Sequence, residues 1–206
     1  MKLFKVISSS GELSRRKSIE AIQEAMVTVN GQLILDPFID VEAKDDIRLD
    51  DKKINHNINL TTILLNKPKG YISTKSDEKG RKTIFELIPK NPPLNHVGRL
   101  DKDTTGAILL TNDGDIVNKI LRSRFKHEKE YLVTLNKKLT KDFLKKMENG
   151  VPILNTTTRK CKTTYINEFQ FKIVLTQGLN RQIRRMCEHF EYRVKKLERI
   201  RIINIK

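Results

Sequence analysis

Residues 95–114, NHVGRLDKDTTGAILLTNDG, put a cluster of acids into a chain that is otherwise strongly basic. Gly98 and Gly106 bracket a loop, and Ala107 to Thr111 is a short apolar run of strand length closed by Asn112-Asp113-Gly114. Asp101 therefore sits on a loop leading into a buried strand, with Arg99 and Lys102 beside it. A surface that holds a polyanion excludes carboxylates unless each is paired, caps a turn, or does chemistry. Loops fixed by rigid strands are where catalytic groups tend to lie. Two roles stay open for Asp101: a turn former bonded to its own backbone, which is common for Asp, or a reactive carboxylate.

The partner class follows from charge. The 206 residues hold 41 Lys and Arg against 25 Asp and Glu, a net +16. Residues 1–54 carry nine basic and ten acidic side chains, a net −1, which leaves +17 on residues 55–206. A polyanion such as RNA fits, because each phosphate neutralised releases a counterion. A membrane surface is the competing polyanion, but no basic amphipathic tail or long apolar span supports it. The start, MKLFKVISSSGEL, lacks the continuous apolar core of a secretory signal, so a cytoplasmic address is expected. Cys161 and Cys187 are too few for a disulfide framework and have no clustered His, so no metal is expected. Neither a phosphate-binding G-x-x-x-x-G-K-[ST] nor a G-x-G-x-x-G occurs, and no cofactor is expected.

Along the chain, Ser14 precedes Arg15-Arg16-Lys17 and a helical pattern in which Ile19, Ile22 and Met26 recur at three- and four-residue steps. VTVNGQLIL places two β-prone runs about Asn30-Gly31, so helix then hairpin is expected. Asp50 to Asn59 is polar and aperiodic; a first unit at residues 1–54, a linker at 55–59 and a larger unit at 60–206 follow. Thr61 to Leu65 reads as a buried strand entering Asn66-Lys67-Pro68-Lys69-Gly70, a basic turn whose Lys67 and Lys69 are candidates for phosphate contact. Thr83 to Ile88 starts a short helix, and Asp115 to Leu121 shows one apolar helix face. His127 to Leu135 turns from charge to β alternation with Tyr131 near a strand start, either ordinary core or an aromatic face for a base. Lys137 to Asn149 is an amphipathic helix, and three strands follow between Val151 and Thr176. Ile183, Met186, Cys187 and Phe190 form a helical stripe that leaves Arg181, Arg184 and Arg185 on the other side. Such a row is either a solvated surface or a clamp for phosphate and carboxylate. Strands with interspersed helices define an α+β class.

GRLDKDTTGAILLTNDG resembles the signature of the pseudouridine synthases, in the RsuA/RluB/RluE/RluF branch that modifies ribosomal RNA. The resemblance spans nearly the whole chain. LNKPKG is similar to the family's first motif, KEY to the strand whose tyrosine packs on the uracil ring, and GLNRQIRRMCEHF to the third motif. SRRKSIEAIQEAMVTVNG resembles the S4-type RNA-binding domain. The implied architecture is a small N-terminal S4-type domain and a larger catalytic domain on a mainly antiparallel mixed sheet. By the same resemblance Asp101 is the catalytic acid, Tyr131 the face on the base, and Arg184 the basic partner of Asp101. RNA contacts are expected from Arg15, Arg16, Lys17, Lys67, Lys69, Arg99, Lys102, Arg181 and Arg185. Relatives continue past an R-I-x-N-I strand into G-x-W-R-x-L, whereas this sequence stops at Lys206 without a Trp; a shorter C-terminal end with an exposed sheet edge is expected.

The implied activity is isomerisation of a specific uridine to pseudouridine in RNA by a monomeric protein, with large-subunit (23S) ribosomal RNA expected and 16S RNA or tRNA as alternatives. The bond from ribose to uracil nitrogen breaks, the base turns, and a bond to carbon replaces it. A duplex hides its bases, so the uridine is extruded into a pocket. Asp101 acts ionised, either attacking the sugar or removing a sugar proton, with Arg184 lowering its pKa. A non-catalytic RNA-binding or ribosome-assembly factor shares the charge and domains and differs in forming no product.

Overall fold

The computed structural model describes residues 1–55, 59–90 and 92–206, so the middle of the expected linker, residues 56–58, lies outside the described residues. Two units result: Met1–Thr61 with Lys90–Leu94, and Thr62–Pro89 with Asn95–Lys206.

The first unit begins with α1 (Leu3–Ser10), which buries Leu3, Val6 and Ile7 and ends at Gly11 with φ 88°. The next helix, α2 (Arg15–Gln23), starts at Ser14, whose hydroxyl accepts the Lys17 N–H at 3.3 Å. β1 (Val27–Val29) and β2 (Gln32–Leu33) form the expected hairpin, with Asn30 and Gly31 at φ 51° and 79° as a two-residue primed turn demands. β3 (Ile47–Leu49) and β4 (Lys52–Lys53) complete an antiparallel sheet of order β2-β1-β3-β4. Asp50 and Asp51 are the left-handed turn between β3 and β4, so ordered structure runs on to the buried Ile54. Leu3, Ile7, Ile22, Val27, Ile47 and Ile54 form the core.

In the second unit, β5 (Thr62–Lys67) precedes a single 3-10 turn at Ile84–Leu87, then β6 (Asn95–Val97), β7 (Thr105–Thr111) and α3 (Gly114–Leu121). After a 3-10 turn at Ser123–Phe125 come β8 (Lys129–Leu135), α4 (Lys141–Glu148) and the small hairpin β9 (Pro152–Ile153) and β10 (Thr156–Thr157). β11 (Lys162–Asn167), β12 (Gln170–Leu175), α5 (Gln182–His189) and β13 (Val194–Ile202) end the chain. The described residues form a seven-stranded sheet of order β11-β12-β8-β13-β7-β5, with β6 also paired to β7. Every pairing is antiparallel except β13 with β7. The α+β class and mainly antiparallel mixed sheet are as expected.

Side chains alternate across a strand, and this decides where the site lies. Val133 and Leu135 of β8, Phe171, Ile173 and Leu175 of β12, and Leu197 of β13 pack with Phe143 and Met147 of α4 and Ile183, Met186 and Cys187 of α5. Tyr131 and Arg199 share the parity of Leu135 and Leu197 and are in register with each other. Both therefore belong to the face that carries α5.

Candidate active site

Gly106 lets two strands meet beside the acidic loop. Its φ is 101°, and a Cβ there would lie 2.3 Å from the Arg199 carbonyl oxygen. Only glycine allows β13 to run parallel against β7 at this level. A row in register then crosses the sheet from Lys67 through Gly106, Arg199 and Tyr131 to Ile173.

The loop before Gly106 is held by its carbonyls. His96 Nδ1 lies 3.0 Å from Gly98 O, and the Ser73 hydroxyl donates to Leu100 O at 3.0 Å while accepting the Leu100 N–H at 3.1 Å. The Thr104 N–H closes a turn onto Asp101 O at 3.0 Å, and the Gly70 N–H reaches Lys102 O at 2.9 Å. Lys67 Nζ donates to Pro68 O at 3.0 Å, Lys102 O at 3.3 Å and Thr104 O at 2.8 Å. Arg184 Nη2 donates to Asp103 O at 3.1 Å and Nη1 to Val194 O at 3.3 Å. With the backbone tied from four sides, the side chains point away: Arg99, Lys102 and Asp103 are exposed and Asp101 is half-buried. Among the described residues no hydrogen bond or ion pair engages the Asp101 carboxylate.

Two expectations are corrected. Lys67 does not face phosphate: it is fully buried, and burial pushes its ammonium down to about 8, opposed by the charges of Asp103 and Asp101. Strand alternation turns it inward at the end of β5, where the turn through Pro68 and Gly70 brings loop carbonyls over it. Arg184 is neither on the outer row of its helix nor ion-paired with Asp101. It is 8% exposed because α5 is covered on both sides, by the core on one and by the loop on the other, and its guanidinium bonds peptide oxygens instead. Arg181 is exposed at the start of α5 in a left-handed conformation, φ 50°. Arg185 is turned back onto Asn180, donating to its O at 3.1 Å and its Oδ1 at 3.3 Å. Lys69 is exposed.

The sequence reading omitted Arg199 and Lys129. Arg199 is 2% exposed, donates from Nε to Ala107 O at 2.6 Å, and keeps a buried Nη2 without a partner. Lys129 shares the face of Tyr131; burial lowers its pKa, and Arg199 lowers it further. Arg184 Nε and the Thr104 hydroxyl are also buried without partners. Period-two alternation with Leu197 was the available signal for Arg199. Tyr131 is half-buried and packs against the core. In the first unit, Arg15, Arg16 and Lys17 are all exposed in the first turn of α2, which contains no acid. Cations at the positive end of a helix repel unless an anion arrives.

On this mainly antiparallel sheet, the loop that carries the unpaired Asp101 carboxylate is pinned by the buried Lys67 and Arg184. The RNA pseudouridylate synthase profile matches residues 61–189, and the chain belongs to that family. It is 47% identical over 209 residues to the dual-specificity RNA pseudouridine synthase RluF of Escherichia coli (strain K12), covering 100% of this chain and 71% of that protein. It is 34% identical over 205 residues to the ribosomal large subunit pseudouridine synthase B of Bacillus subtilis (strain 168), covering 96% and 84%. A solved pseudouridylate synthase crystal structure superposes with a TM-score of 0.70 at 26% identity, covering 100% of this chain and 90% of that one.

Proposed function

We propose that this protein isomerises a uridine to pseudouridine in ribosomal RNA of the large subunit, with Asp101 as the reacting carboxylate. The observation that carries the assignment is the state of that side chain: half-open, unpaired, and mounted on a backbone immobilised by Lys67, Ser73, Gly70 and Arg184. A turn-forming Asp would bond its own backbone through its carboxylate, and Asp101 closes its turn through the peptide oxygen instead. The RNA target is supported by the activities for which the two relatives are named and by the +17 carried on residues 55–206.

In this assignment the C1′–N1 bond of an extruded uridine breaks with Asp101 ionised, the uracil rotates, C5 bonds to C1′, the C5 hydrogen leaves to solvent as a proton, and N1 takes up a proton in its place. Tyr131 offers its ring to the base; Arg99, Lys102, Lys69 and Arg181 are the open cations for flanking phosphates. Arg15, Arg16 and Lys17 form a separate RNA contact on the first unit. Asp101→Asn should abolish tritium release from RNA labelled at uracil C5 while RNA affinity stays near wild type. Full turnover by that variant would remove Asp101 from the mechanism, and absence of release by the wild-type protein would leave a binding factor.

A further inference from the structure

The outer edge of the sheet carries a surface that the uridine site does not use. β11 is the terminal strand, and its Tyr165 is 53% exposed although its register partner Phe171 is fully buried beneath α4. The ring therefore stands on the α4 side at the rim of the core, in solvent. α4 runs alongside this strand. Glu148 in its last turn accepts from the Thr163 N–H at 2.8 Å and hydroxyl at 3.1 Å, and the Leu139 N–H just before its start donates to Glu168 O at 2.8 Å. Counting back three and seven residues from Glu148 reaches Lys145 and Lys141, on the same side of the helix as Glu148. Both are exposed. Of the acids at hand, Asp142 is paired with Lys146 at 2.7 Å, Glu168 with Lys138 at 2.9 Å, and Glu148 is held by Thr163, and neither Lys141 nor Lys145 forms an ion pair among the described residues.

Lysines on an edge strand often serve to block pairing with another sheet, which accounts for Lys162 on β11. That role leaves an exposed tyrosine and two unpaired lysines on the adjoining helix unexplained. We propose that this edge is an accessory platform for single-stranded RNA, in which Tyr165 stacks on a base and Lys141 and Lys145 hold the flanking phosphates. The proposal rests on RNA as the substrate and names a second contact on it, apart from Asp101. Aromatic faces accept any base, and the lysines add a salt-dependent, sequence-independent grip.

The test is equilibrium binding of a fluorescently labelled transcript of large-subunit ribosomal RNA across a range of salt, with tritium release measured in parallel. Tyr165→Ala should weaken binding about tenfold and Tyr165→Phe should restore it, with turnover at saturating RNA unchanged in both. The double variant Lys141→Glu, Lys145→Glu should lower the slope of log affinity against log salt by roughly 1.4, two phosphate contacts at about 0.7 each. Wild-type affinity in Tyr165→Ala, or an unchanged slope in the charge-reversed variant, overturns the platform. Because affinity is read separately, failure of tritium release in the wild-type protein refutes the isomerase assignment and leaves the binding comparison decisive for the edge.

Discussion

Gly106→Ala is the perturbation whose size follows most directly from the geometry. The added methyl would sit 2.3 Å from Arg199 O and 2.7 Å from Arg199 N, where ordinary contact begins at 3.4 Å, so β13 has to recede by about 1 Å. Alanine at positive φ costs about 1–2 kcal/mol by itself. Parting β7 from β13 where Thr105 meets Glu198 and Gly106 meets Arg199 strands one or two buried backbone groups, at about 1–3 kcal/mol each. The expected loss is about 2–8 kcal/mol, a melting point lowered by roughly 4–30 °C for a chain of this length. Gly70→Ala is the control, because Gly70 has a similar φ of 95° with nothing within 4 Å of its would-be Cβ, and should lose only the conformational part. Since β7 begins at the Asp101 loop, a 1 Å shift should also slow tritium release about 100-fold at a temperature where both variants are folded. Equal melting points for the two alanine variants would refute the steric argument; normal turnover by a destabilised Gly106→Ala would refute the link from strand spacing to the site.

Lys67 titrates near 8 when folded and near 10.5 otherwise, so between those pH values the unfolded chain binds more protons and stability rises with pH, by about 3 kcal/mol over the window. Lys67→Met should remove that rise, which denaturant unfolding at pH 7 and pH 10 measures; an unchanged difference between the two pH values contradicts it. Arg184→Ala leaves the carbonyls of Asp103 and Val194 without their donors and should cost about 2–5 kcal/mol of stability together with a large loss of rate. Arg184→Lys should keep RNA affinity but not the rate, since one ammonium cannot replace the guanidinium fork; full activity in the lysine variant argues against the fork. Tyr131→Phe should keep stacking and lose less than about tenfold in turnover, whereas Tyr131→Ala should weaken RNA binding by about 1–3 kcal/mol, and equal affinities of the two would take the ring off the base.

The strands and helices legible in the sequence are those with a period long enough to count. The stripe of Phe143, Leu144 and Met147 gives α4, and the Asn30-Gly31 pair gives the first hairpin. α1 escaped because its eight residues have no side-chain cap and its buried Leu3, Val6 and Ile7 complete a single repeat. The fate of each cation was less legible than its presence. Lys67 and Lys69 are two residues apart in one basic turn, yet one is fully buried and the other exposed. What separates them is the end of β5, where alternation stops, and the identity of the oxygens that close over Lys67, which come from residues 35 and 37 positions away. Arg184 was assigned to the outer row because a helical stripe marks one covered face and is silent about a second.

Those buried cations also bear on how Asp101 would be kept reactive in the proposed role. A direct Arg184–Asp101 bridge would hold the carboxylate ionised but would occupy both its oxygens and have to open before each turnover. The arrangement found here separates the two tasks. Arg184 and Lys67 bind the peptide oxygens of residues 102–104, so their charges fix the loop and, among the described residues, neither enters an ion pair, while the carboxylate stays clear of both. Lys67 feels the charges of Asp103 and Asp101 without touching either side chain. Positive potential at the site is thus supplied from behind the backbone, in a buried setting where salt screens it little. Raising salt should accordingly weaken RNA affinity steeply through the exposed Arg99 and Lys102, yet leave the rate at saturating RNA nearly constant. A saturated rate that falls in parallel with affinity would mean that the charges acting on Asp101 are the exposed ones.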